Sequence, residues 1–391
     1  LGYRGGLARG VDYNSSYYMY FPSISYNTII GRTGGTGWQY GICLGSVSQP
    51  PGSYPSYYDV VNVMQNNKII LQTNGNYGCG IWLGYYLNYY SSLGVGGAGT
   101  QSLIANNEII HNTTNCYSYG MYGYYTKANI VHNSIYLKNT NTSYQLYGMY
   151  IYNSSTSYGP MTIKNNNIVV SPQDPAKGYP MYYSDAASYA SNAYKITDYN
   201  NYYSTGGLIG YIGSDVTTME NWRSITGQDQ GSVGQYPSYE NFPNNLKVYG
   251  FNLACPSFIG VTTDIENTNR ASTTIMGAYE FIPYVSYDIQ PYALVTPSAV
   301  VTNGIDELAR VRLMNVGTTT VTAATINWSF NGVAQTAVNW SGSLTSGSSV
   351  VVTLDTITPI GGNNTLVIFT SLPNDTIKFN DTLKVDLYGC D

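Results

Sequence analysis

Carboxylates are the side chains in this sequence that could do chemistry, because two of them facing each other can act as acid and base on a glycosidic bond. Glycosidases hold such a pair on one face, with the carboxyl groups about 5 to 9.5 Å apart. Between positions 24 and 203 the acidic residues are Asp59, Glu108, Asp174, Asp185 and Asp198. Asp185 and Asp198 belong to one repeat of the chain, and no other repeat offers a carboxylate in matching phase. They leave a carbohydrate-active enzyme, a polysaccharide lyase or glycoside hydrolase, as an alternative.

Histidine and cysteine add no second site. His111 and His132 each flank an asparagine that recurs along the chain, which indicates turn residues rather than general bases. Cys43 and Cys79 are predicted to stack in a core, with a disulfide between them as the alternative. No two cysteines have the two-residue spacing of zinc sites, so we expect no metal and no cofactor. The cysteines are Cys43, Cys79, Cys116, Cys255 and Cys390.

The elements that carry these residues come from a repeated pattern: apolar, any, polar, Asn, any, Ile. It is clear at Ile104-Ala105-Asn106-Asn107-Glu108-Ile109 and at Ile130-Val131-His132-Asn133-Ser134-Ile135. The central asparagines of its six copies are Asn27, Asn67, Asn107, Asn133, Asn166 and Asn200. A second marker, Tyr-Gly or Tyr-Pro, follows the first five copies at Tyr40, Tyr77, Tyr119, Tyr147 and Tyr179. Two markers in phase indicate a structural repeat.

The spacing of the apolar residues in each copy predicts a bend. They are five positions apart, so on a straight strand they would face opposite sides of a sheet. Both are large and should point inward, which requires a bend at the asparagine, because Asn tolerates the left-handed backbone. Stacked bends would let the amides hydrogen-bond in a ladder. A repeat of short strands predicts a parallel β-helix, with Lys68, Glu108 and Lys164 at a solvated corner.

Composition excludes some partners. Only 9% of the residues are charged, and the 16 Lys and Arg residues are scattered through a chain of net charge −5. Binding to nucleic acid needs clustered positive charge, so we expect no nucleic-acid partner. No apolar run approaches the roughly 20 residues of a membrane-spanning helix. The chain opens at Leu1 in an apparent coil, which suggests a piece of a longer protein.

Tyrosine is unusually abundant, with 43 residues. Many occur as adjacent pairs, and a pair on a strand shows one ring to each face, so we expect an outer file of Tyr rings. Such a file is either a solvated β surface or an aromatic platform for sugar rings or another surface. The candidate binding residues are Tyr57, Tyr58, Tyr85, Tyr86, Tyr89, Tyr90, Tyr124, Tyr125, Tyr182 and Tyr183.

A different segment begins near position 204. Val216, Met219 and Trp222 predict a short helix, capped by Ser214, over the open end of the coils. The segment from Trp222 through Thr226-Gly227-Gln228-Asp229 to Gly277-Ala278-Tyr279-Glu280 resembles the closing segment of right-handed parallel β-helix proteins on bacterial surfaces. The resemblance implies that Asp264 and Arg270 pair as a structural lock. Asn267 stands between them, where a left-handed turn is usual.

The pattern changes again after position 283, to short alternating runs with turn signals. About seven strands, including a hairpin at Asn331-Gly332, predict an antiparallel β-sandwich. The order of Trp328, Asn331-Gly332, Trp340 and Asn374-Asp375 resembles the immunoglobulin-like modules of Bacteroidota surface adhesins, such as the gliding-motility adhesins exported by type IX secretion. The O-glycosylation signal of that phylum resembles the Asp-Thr-Ile/Leu sites at Thr356, Thr376 and Thr382.

These patterns predict an all-β chain. Residues 1–283 form a right-handed parallel β-helix with a cap at about 204–283, and residues 284–391 form an immunoglobulin-like β-sandwich. The leading hypothesis is a non-catalytic, extracellular bacterial adhesin or surface-filament segment that presents a Tyr-rich face. Its partners would be glycans, solid surfaces or neighbouring surface proteins. The alternatives are the carbohydrate-active enzyme, with the sandwich as accessory domain, and a purely structural filament subunit.

Overall fold

The computed structural model describes residues 2–4, 7–13, 20–31, 38–44, 60–73, 76–83, 102–124, 128–152, 161–184 and 195–390. Within these ranges the chain is all-β apart from one α-helix and one short 3-10 helix, Pro175–Lys177. It divides into two compact units. The first unit comprises Leu1–Tyr249 and Leu253–Phe281, and the second comprises Gly250–Asn252 and Ile282–Asp391.

The first unit contains many short strands. In chain order they are β1 (Gly2–Arg4), β2 (Leu7–Tyr13), β3 (Tyr20–Ser25), β4 (Thr28–Gly31), β5 (Trp38–Leu44), β6 (Val60–Gln65), β7 (Lys68–Thr73), β8 (Tyr77–Leu83), β9 (Ser102–Ala105), β10 (Glu108–Thr113), β11 (Tyr117–Tyr124), β12 (Ala128–Val131), β13 (Ser134–Asn139), β14 (Leu146–Tyr152), β15 (Met161–Lys164), β16 (Asn167–Ser171), β17 (Gly178–Tyr183), β18 (Lys195–Asp198), β19 (Asn201–Ser204), β20 (Gly210–Ile212), β21 (Asp215–Val216), β22 (Ala254–Pro256) and β23 (Thr273–Ile275).

Most of these strands belong to three stacked parallel sheets. The first corner sheet is β18-β15-β12-β9-β6-β3, and the second corner sheet is β19-β16-β13-β10-β7-β4. The aromatic sheet is β1-β2-β5-β8-β11-β14-β17-β20-β21, antiparallel only at its two ends. From β3 onward the chain visits the first corner sheet, the second corner sheet and the aromatic sheet in that order, and then repeats the circuit. Each circuit, which we call a coil, adds one strand to each sheet.

A bend separates the two corner sheets in every coil, and the apolar residues on either side of it point into one core. Ile104, Ile109, Ile130 and Ile135 are all fully buried there. The predicted position of the left-handed residue was wrong by one. Positive φ falls on the residue before each repeated asparagine, at Tyr26, Asn66, Asn106, His132, Asn165 and Tyr199. Because that residue makes the turn, the asparagine that follows can point its side-chain amide into the interior.

The repeated asparagines form one continuous ladder of amides, which is partly buried at Asn27 and fully buried from Asn67 to Asn200. The Asn67 amide donates to Asn107 Oδ1 at 2.9 Å, and Asn107 donates to Asn133 Oδ1 at the same distance. The ladder begins at Asn27 and reaches Asn200 with donor–acceptor distances of 2.9 to 3.0 Å. From Asn67 to Asn200, each Oδ1 also accepts a backbone N–H from the preceding coil, as Asn133 Oδ1 does from Asn107. The ladder therefore satisfies polar groups that burial would otherwise leave unpaired.

The last coil is closed by helix α1, Met219–Thr226, and the loop after it. The predicted Ser214 cap was wrong, because Val216 lies in β21 and Thr218 Oγ1 caps the helix by accepting from the N–H of Asn221. Trp222 is fully buried in the core of the coils. After the helix, Asp229 ends the amide ladder.

The Asp229 carboxylate lies at the end of the ladder, where a further coil would place its asparagine amide. It accepts from Trp222 Nε1 at 2.9 Å, from Thr197 Oγ1 at 2.8 Å and from Ser232 Oγ at 2.6 Å. Ser232 Oγ in turn accepts the Asn200 backbone N–H at 2.8 Å. The polar groups at the end of the ladder are thus hydrogen-bonded to one another within the chain.

The rest of the first unit, residues 233–249 and 253–281, is called the returning segment. It runs back along the bend and is hydrogen-bonded to it from outside. The predicted Asp264–Arg270 lock was wrong as a direct pair. Asp264 accepts backbone N–H groups, including that of Glu280 at 2.8 Å, whereas Arg270 Nη2 donates to Asn106 Oδ1 and to the Gly277 carbonyl, both at 2.9 Å. Each side chain is bonded to other groups instead. Asp264 accepts from backbone N–H groups, and Arg270 donates to a side-chain amide and to a backbone carbonyl. Asn267 has the left-handed φ of 65° that the sequence predicted.

The second unit contains two sheets around one core. Its strands are β24 (Ile289–Thr296), β25 (Val300–Thr302), β26 (Glu307–Asn315), β27 (Val321–Phe330), β28 (Val333–Ala334), β29 (Val338–Leu344), β30 (Ser349–Ile357), β31 (Gly362–Ser371) and β32 (Thr382–Cys390). One sheet is β24-β26-β30 and the other is β25-β32-β31-β27-β28, with β29 beside β27. All pairs are antiparallel except β25–β32. Val311 from one sheet and Trp328 from the other lie in one apolar cluster.

The predicted hairpin at Asn331-Gly332 is confirmed. Both residues have positive φ, 50° and 78°, and they join β27 to β28. This backbone is that of the tight turns that Asn-Gly favours. Within the part of the chain that the structure describes, no helix has the length and apolar character needed to cross a membrane.

Candidate binding surface

The outer face of the aromatic sheet follows a short pattern that is complete in β11 and β14: aromatic, glycine, apolar, aromatic. In β11 this is Tyr119-Gly120-Met121-Tyr122, where Gly120 and Met121 both face the core and both tyrosines face outward. Residues three apart share a face because the strand bends at the glycine. A Cβ on the equivalent Gly80 would lie 2.5 Å from Ile109 Cγ2 and 2.6 Å from the Gly120 carbonyl oxygen. A side chain would clash there, so glycine fits this close approach at Gly80; in β17 the equivalent position is Pro180.

Five aromatic rings stack in one file across successive coils. The centroid distances are 4.0 Å for Trp82–Tyr122, 4.8 Å for Tyr122–Tyr150, 5.0 Å for Tyr150–Tyr182 and 4.5 Å for Tyr182–Tyr211. The ring planes are within 9 to 11° of parallel. We call this the outer file. Its regularity follows from the register, which pairs each member with the next.

A second file, the inner file, runs beside it. Tyr119, Tyr147 and Tyr179 stack at 5.0 and 5.8 Å. Rings of the two files meet edge to face, as Tyr147 and Tyr182 do at 5.0 Å and 81°. Offset stacks and edge-to-face contacts are the favourable aromatic geometries. The two files therefore form one rigid aromatic array.

This array presents ring edges and hydroxyl groups, because neighbouring rings cover one another's faces. A platform of open ring faces for stacking sugars, one of the two sequence interpretations, is not what these files offer. Burial raises the pKa of Tyr179 to about 12, with a contribution from the Asp215 carboxylate. Burial is also the main cause that raises the pKa values of Tyr119 and Tyr122. The array is thus uncharged at neutral pH.

The predicted tyrosine pairs have mixed outcomes. Tyr182 is in the outer file, but Tyr183 points inward, is 1% exposed and lies 6.0 Å from Trp222, so its assignment to a binding surface was wrong. The backbone of Tyr124 ends β11, and its side chain lies outside the described residues. The remaining predicted residues lie outside the described part of the chain: Tyr57, Tyr58, Tyr85, Tyr86, Tyr89, Tyr90 and Tyr125.

Sequence reasoning missed most of the array, although a signal was present. At three of the five Tyr-Gly or Tyr-Pro markers, an aromatic residue follows the marker Tyr by three positions, and this pattern identifies Tyr122, Tyr150 and Tyr182. The marker was also aligned wrongly in one coil. Tyr119 pairs with Cys79, so Cys79-Gly80, and not Tyr77-Gly78, is the equivalent of Tyr119-Gly120.

Two carboxylates of the coils, those of Glu108 and Asp198, are hydrogen-bonded to backbone groups of the chain. Glu108 was predicted at a solvated corner, and that was wrong: it is fully buried beneath the returning segment. Its carboxylate is 2.8 Å from Lys68 Nζ, accepts the Leu246 N–H at 2.9 Å and accepts the Tyr279 hydroxyl. Asp198 accepts backbone N–H groups, and its predicted partner Asp185 lies outside the described residues.

The two histidines are buried and neutral. His111 Nδ1 lies 2.9 Å from Ser118 Oγ, and burial lowers the pKa of His111 to about 3. His132 occupies the turn, with φ of 54°, and its pKa is lowered by burial and then by the charge of Arg270.

No metal centre is formed by the described residues, where no group of three His, Cys, Asp or Glu side chains is arranged to hold an ion. None of the five cysteines forms a disulfide, so the alternative of a Cys43–Cys79 disulfide was wrong. Both are buried beside Tyr40 in a small apolar cluster. In the second unit, the predicted glycosylation residues Thr356, Thr376 and Thr382 are exposed.

Comparison with known proteins gives no family. No family model matches the sequence, and no curated protein matches it. Solved structures with some likeness include the CARDB domain of PF1109 from Pyrococcus furiosus, in complex with di-metal ions, at 18% identity, covering 28% of this chain and 95% of that one with a TM-score of 0.24. A domain of a candidate cell-surface protein from Methanosarcina acetivorans matches at 18% identity, 27% and 95% coverage and a TM-score of 0.24. Such low scores carry no argument about this chain.

Proposed function

We propose that this chain is a non-catalytic segment of an extracellular bacterial adhesin. Its first unit is a right-handed parallel β-helix, and its second unit is an immunoglobulin-like β-sandwich of the kind found in type IX-secreted, gliding-motility-like adhesins. The observation that carries the proposal is the aromatic array, which repeats the same rings over successive coils. A repeated, uncharged surface suits repeated contact with an extended partner such as a glycan layer or a solid surface.

The mechanism is rigid display. The amide ladder and the stacked rings fix the position of each outer hydroxyl, so little side-chain entropy is lost when they bind. Single hydroxyl contacts are weak, but contacts in successive coils are made together, and their effect multiplies. Because the array carries no charge, its binding should depend little on salt.

The absence of catalysis is part of the proposal and has its own test. Glu108 is buried and already bonded, which supports a structural role. Of the predicted Asp185–Asp198 pair, Asp198 is the member that lies within the described residues. Activity against polysaccharides that disappears in Asp185→Asn and Asp198→Asn variants would favour the carbohydrate-active enzyme and contradict this proposal.

The binding test removes hydroxyls without disturbing the stack. A triple variant with Tyr122→Phe, Tyr150→Phe and Tyr182→Phe keeps all three rings. Adsorption of the full chain to immobilised cellulose, dextran and polystyrene is measured by surface plasmon resonance. We expect the variant to lose about tenfold or more in apparent affinity for the polysaccharides, since three hydroxyl contacts are removed.

A matched control is Tyr388→Phe, an exposed tyrosine of the second unit. It should bind as the unchanged chain does. Unchanged adsorption of the triple variant would show that the array does not bind through its hydroxyls. If the unchanged chain adsorbs to polystyrene but to neither polysaccharide, the partner is an apolar surface instead of a glycan.

A further inference from the structure

We propose that a groove on the outer face of the second corner sheet binds an acidic saccharide, a chain that contains uronic-acid units. The groove has a volume of about 440 Å³, within the range of small-ligand sites. It lies on different strands from the aromatic array. It is therefore a second site, and its test does not depend on the function proposed for the array.

The floor of the groove is a row of polar side chains from three adjacent coils. The register places Gln72 of β7, Asn112 of β10 and Lys138 of β13 side by side. Neighbouring strands are about 4.8 Å apart, so the row offers a hydrogen-bonding group at each such step. A saccharide chain lying across the strands would meet one side chain after another.

These floor groups are open for a ligand. Among the described residues, the amides of Gln72 and Asn112 are not hydrogen-bonded to any protein group, and Lys138 has no ion pair. Amides and an ammonium group can donate to hydroxyl and carboxylate oxygens, and amide oxygens can accept from hydroxyls. Sugar hydroxyls need both kinds of partner.

An aromatic wall borders the floor on one side. Phe242 of the returning segment meets Tyr136 of β13 edge to face at 4.8 Å and stacks on Tyr239 at 5.4 Å. These contacts hold the Phe242 ring in place, yet 38% of the residue remains exposed. An apolar wall beside a polar floor matches a sugar ring, which has an apolar face of C–H groups and an edge of hydroxyls.

Charge selects the acidic class of saccharide. Among the described residues that line the groove, Lys138 is the one with a charge, and none is a carboxylate. A single cation among amides fits a ligand with isolated carboxylates, whereas nucleic acid requires several clustered cations. A peptide strand is not favoured, because β7, β10 and β13 are paired on both sides and offer no free edge.

The test uses two probes that differ in charge. Oligogalacturonate and a cello-oligosaccharide of equal length are titrated calorimetrically into the full chain. We expect the unchanged chain to bind oligogalacturonate more tightly. Lys138→Gln should weaken that binding about tenfold or more, the loss of one charge-assisted hydrogen bond, and Asn112→Ala should weaken binding of both probes.

Controls separate this site from the array and from unfolding. Lys164→Gln changes an equivalent charge on the first corner sheet and should leave binding unchanged. The triple Tyr→Phe variant of the array should also bind oligogalacturonate normally. The proposal is overturned if the unchanged chain does not bind the acidic probe, or if Lys138→Gln and Asn112→Ala bind it as tightly as the unchanged chain does. Loss of binding in Lys164→Gln as well would indicate a general charge effect and would also overturn it.

Discussion

Two rows of polar side chains cross the same coils, and they have opposite roles. One row is the buried ladder through Asn67, Asn107 and Asn133. The other row, five residues later in each coil, is Gln72, Asn112 and Lys138. In the ladder every amide bonds to the next, whereas the open row has no protein partner among the described residues.

The comparison shows that residue type alone does not tell a structural amide from a binding amide. Asn107 and Asn112 lie on the same coil. Asn107 is fully buried, where an unmade hydrogen bond is costly, so its bonds stabilise the fold. Asn112 is partly exposed, where water replaces any missing partner, so its bonds remain available to a ligand. Burial and bonding state decide the role.

The largest expected effect comes from breaking the ladder. Asn133→Ala removes the acceptor of Asn107 and the donor to Asn166, and leaves buried backbone groups without partners. We expect the free energy of unfolding to fall by about 3 to 4 kcal/mol, measured by urea denaturation. Asn112→Ala is the matched control and should change it by less than about 0.5 kcal/mol. Equal losses in both variants would contradict the distinction between the two rows.

A smaller loss is expected at the end of the ladder. Asp229→Asn keeps the size of the side chain but replaces one acceptor oxygen by a donor, which faces either Trp222 Nε1 or Ser232 Oγ. The free energy of unfolding should fall by about 2 kcal/mol, with a change in Trp fluorescence. The control Asp386→Asn, at an exposed carboxylate of the second unit, should have little effect. An unchanged stability for Asp229→Asn would mean that the ladder needs no acceptor at its end.

Alkaline pH should distinguish the aromatic array from exposed tyrosines. The folded-state pKa of Tyr179 is raised to about 12, above the unfolded value of about 10. Such a group contributes stability that is fully present below pH 10 and is lost as the pH rises through 12. We expect unfolding and tyrosinate absorbance to rise together in this range. Ionisation of all tyrosines near pH 10 without unfolding would contradict the burial of the array.

The smallest effect is expected from a single hydroxyl of the outer file. Tyr150→Phe keeps the stacks with Tyr122 and Tyr182 at 4.8 and 5.0 Å. The melting temperature should stay within about 2 °C of that of the unchanged chain. Tyr150→Ala removes the ring and should cost about 2 kcal/mol or more. If Tyr150→Phe were as damaging as Tyr150→Ala, the hydroxyl would be structural and closed to ligands.

The coil geometry could be predicted from the sequence because it follows from local rules. The spacing of large apolar residues around Asn107 and Asn133 requires a bend, and identical amides at equivalent positions of stacked coils must meet. It was harder to predict which face of the aromatic sheet the aromatic side chains occupy. The bend at Gly80 and Gly120 places residues three apart on one face, which alternation along a straight strand does not predict.

The burial of Glu108 depends on distant sequence and could not be predicted from the repeat. The groups that cover it, Leu246 and Tyr279, come 138 and 171 residues later in the chain. The open groove has the same origin, because Phe242 reaches it from the returning segment. Contacts between residues distant in sequence therefore determine where burial departs from the repeat, as at Glu108, and where the groove lies.

Side-chain amide hydrogen exchange, followed by NMR, tests the comparison most directly. The NH2 protons of Asn67, Asn107 and Asn133 should exchange far more slowly than those of free peptides, because exchange requires the coils to open. The NH2 protons of Gln72 and Asn112 should exchange at nearly the free rate, and more slowly after oligogalacturonate is added. Rapid exchange of the ladder amides, or protection of Gln72 and Asn112 without ligand, would contradict the account.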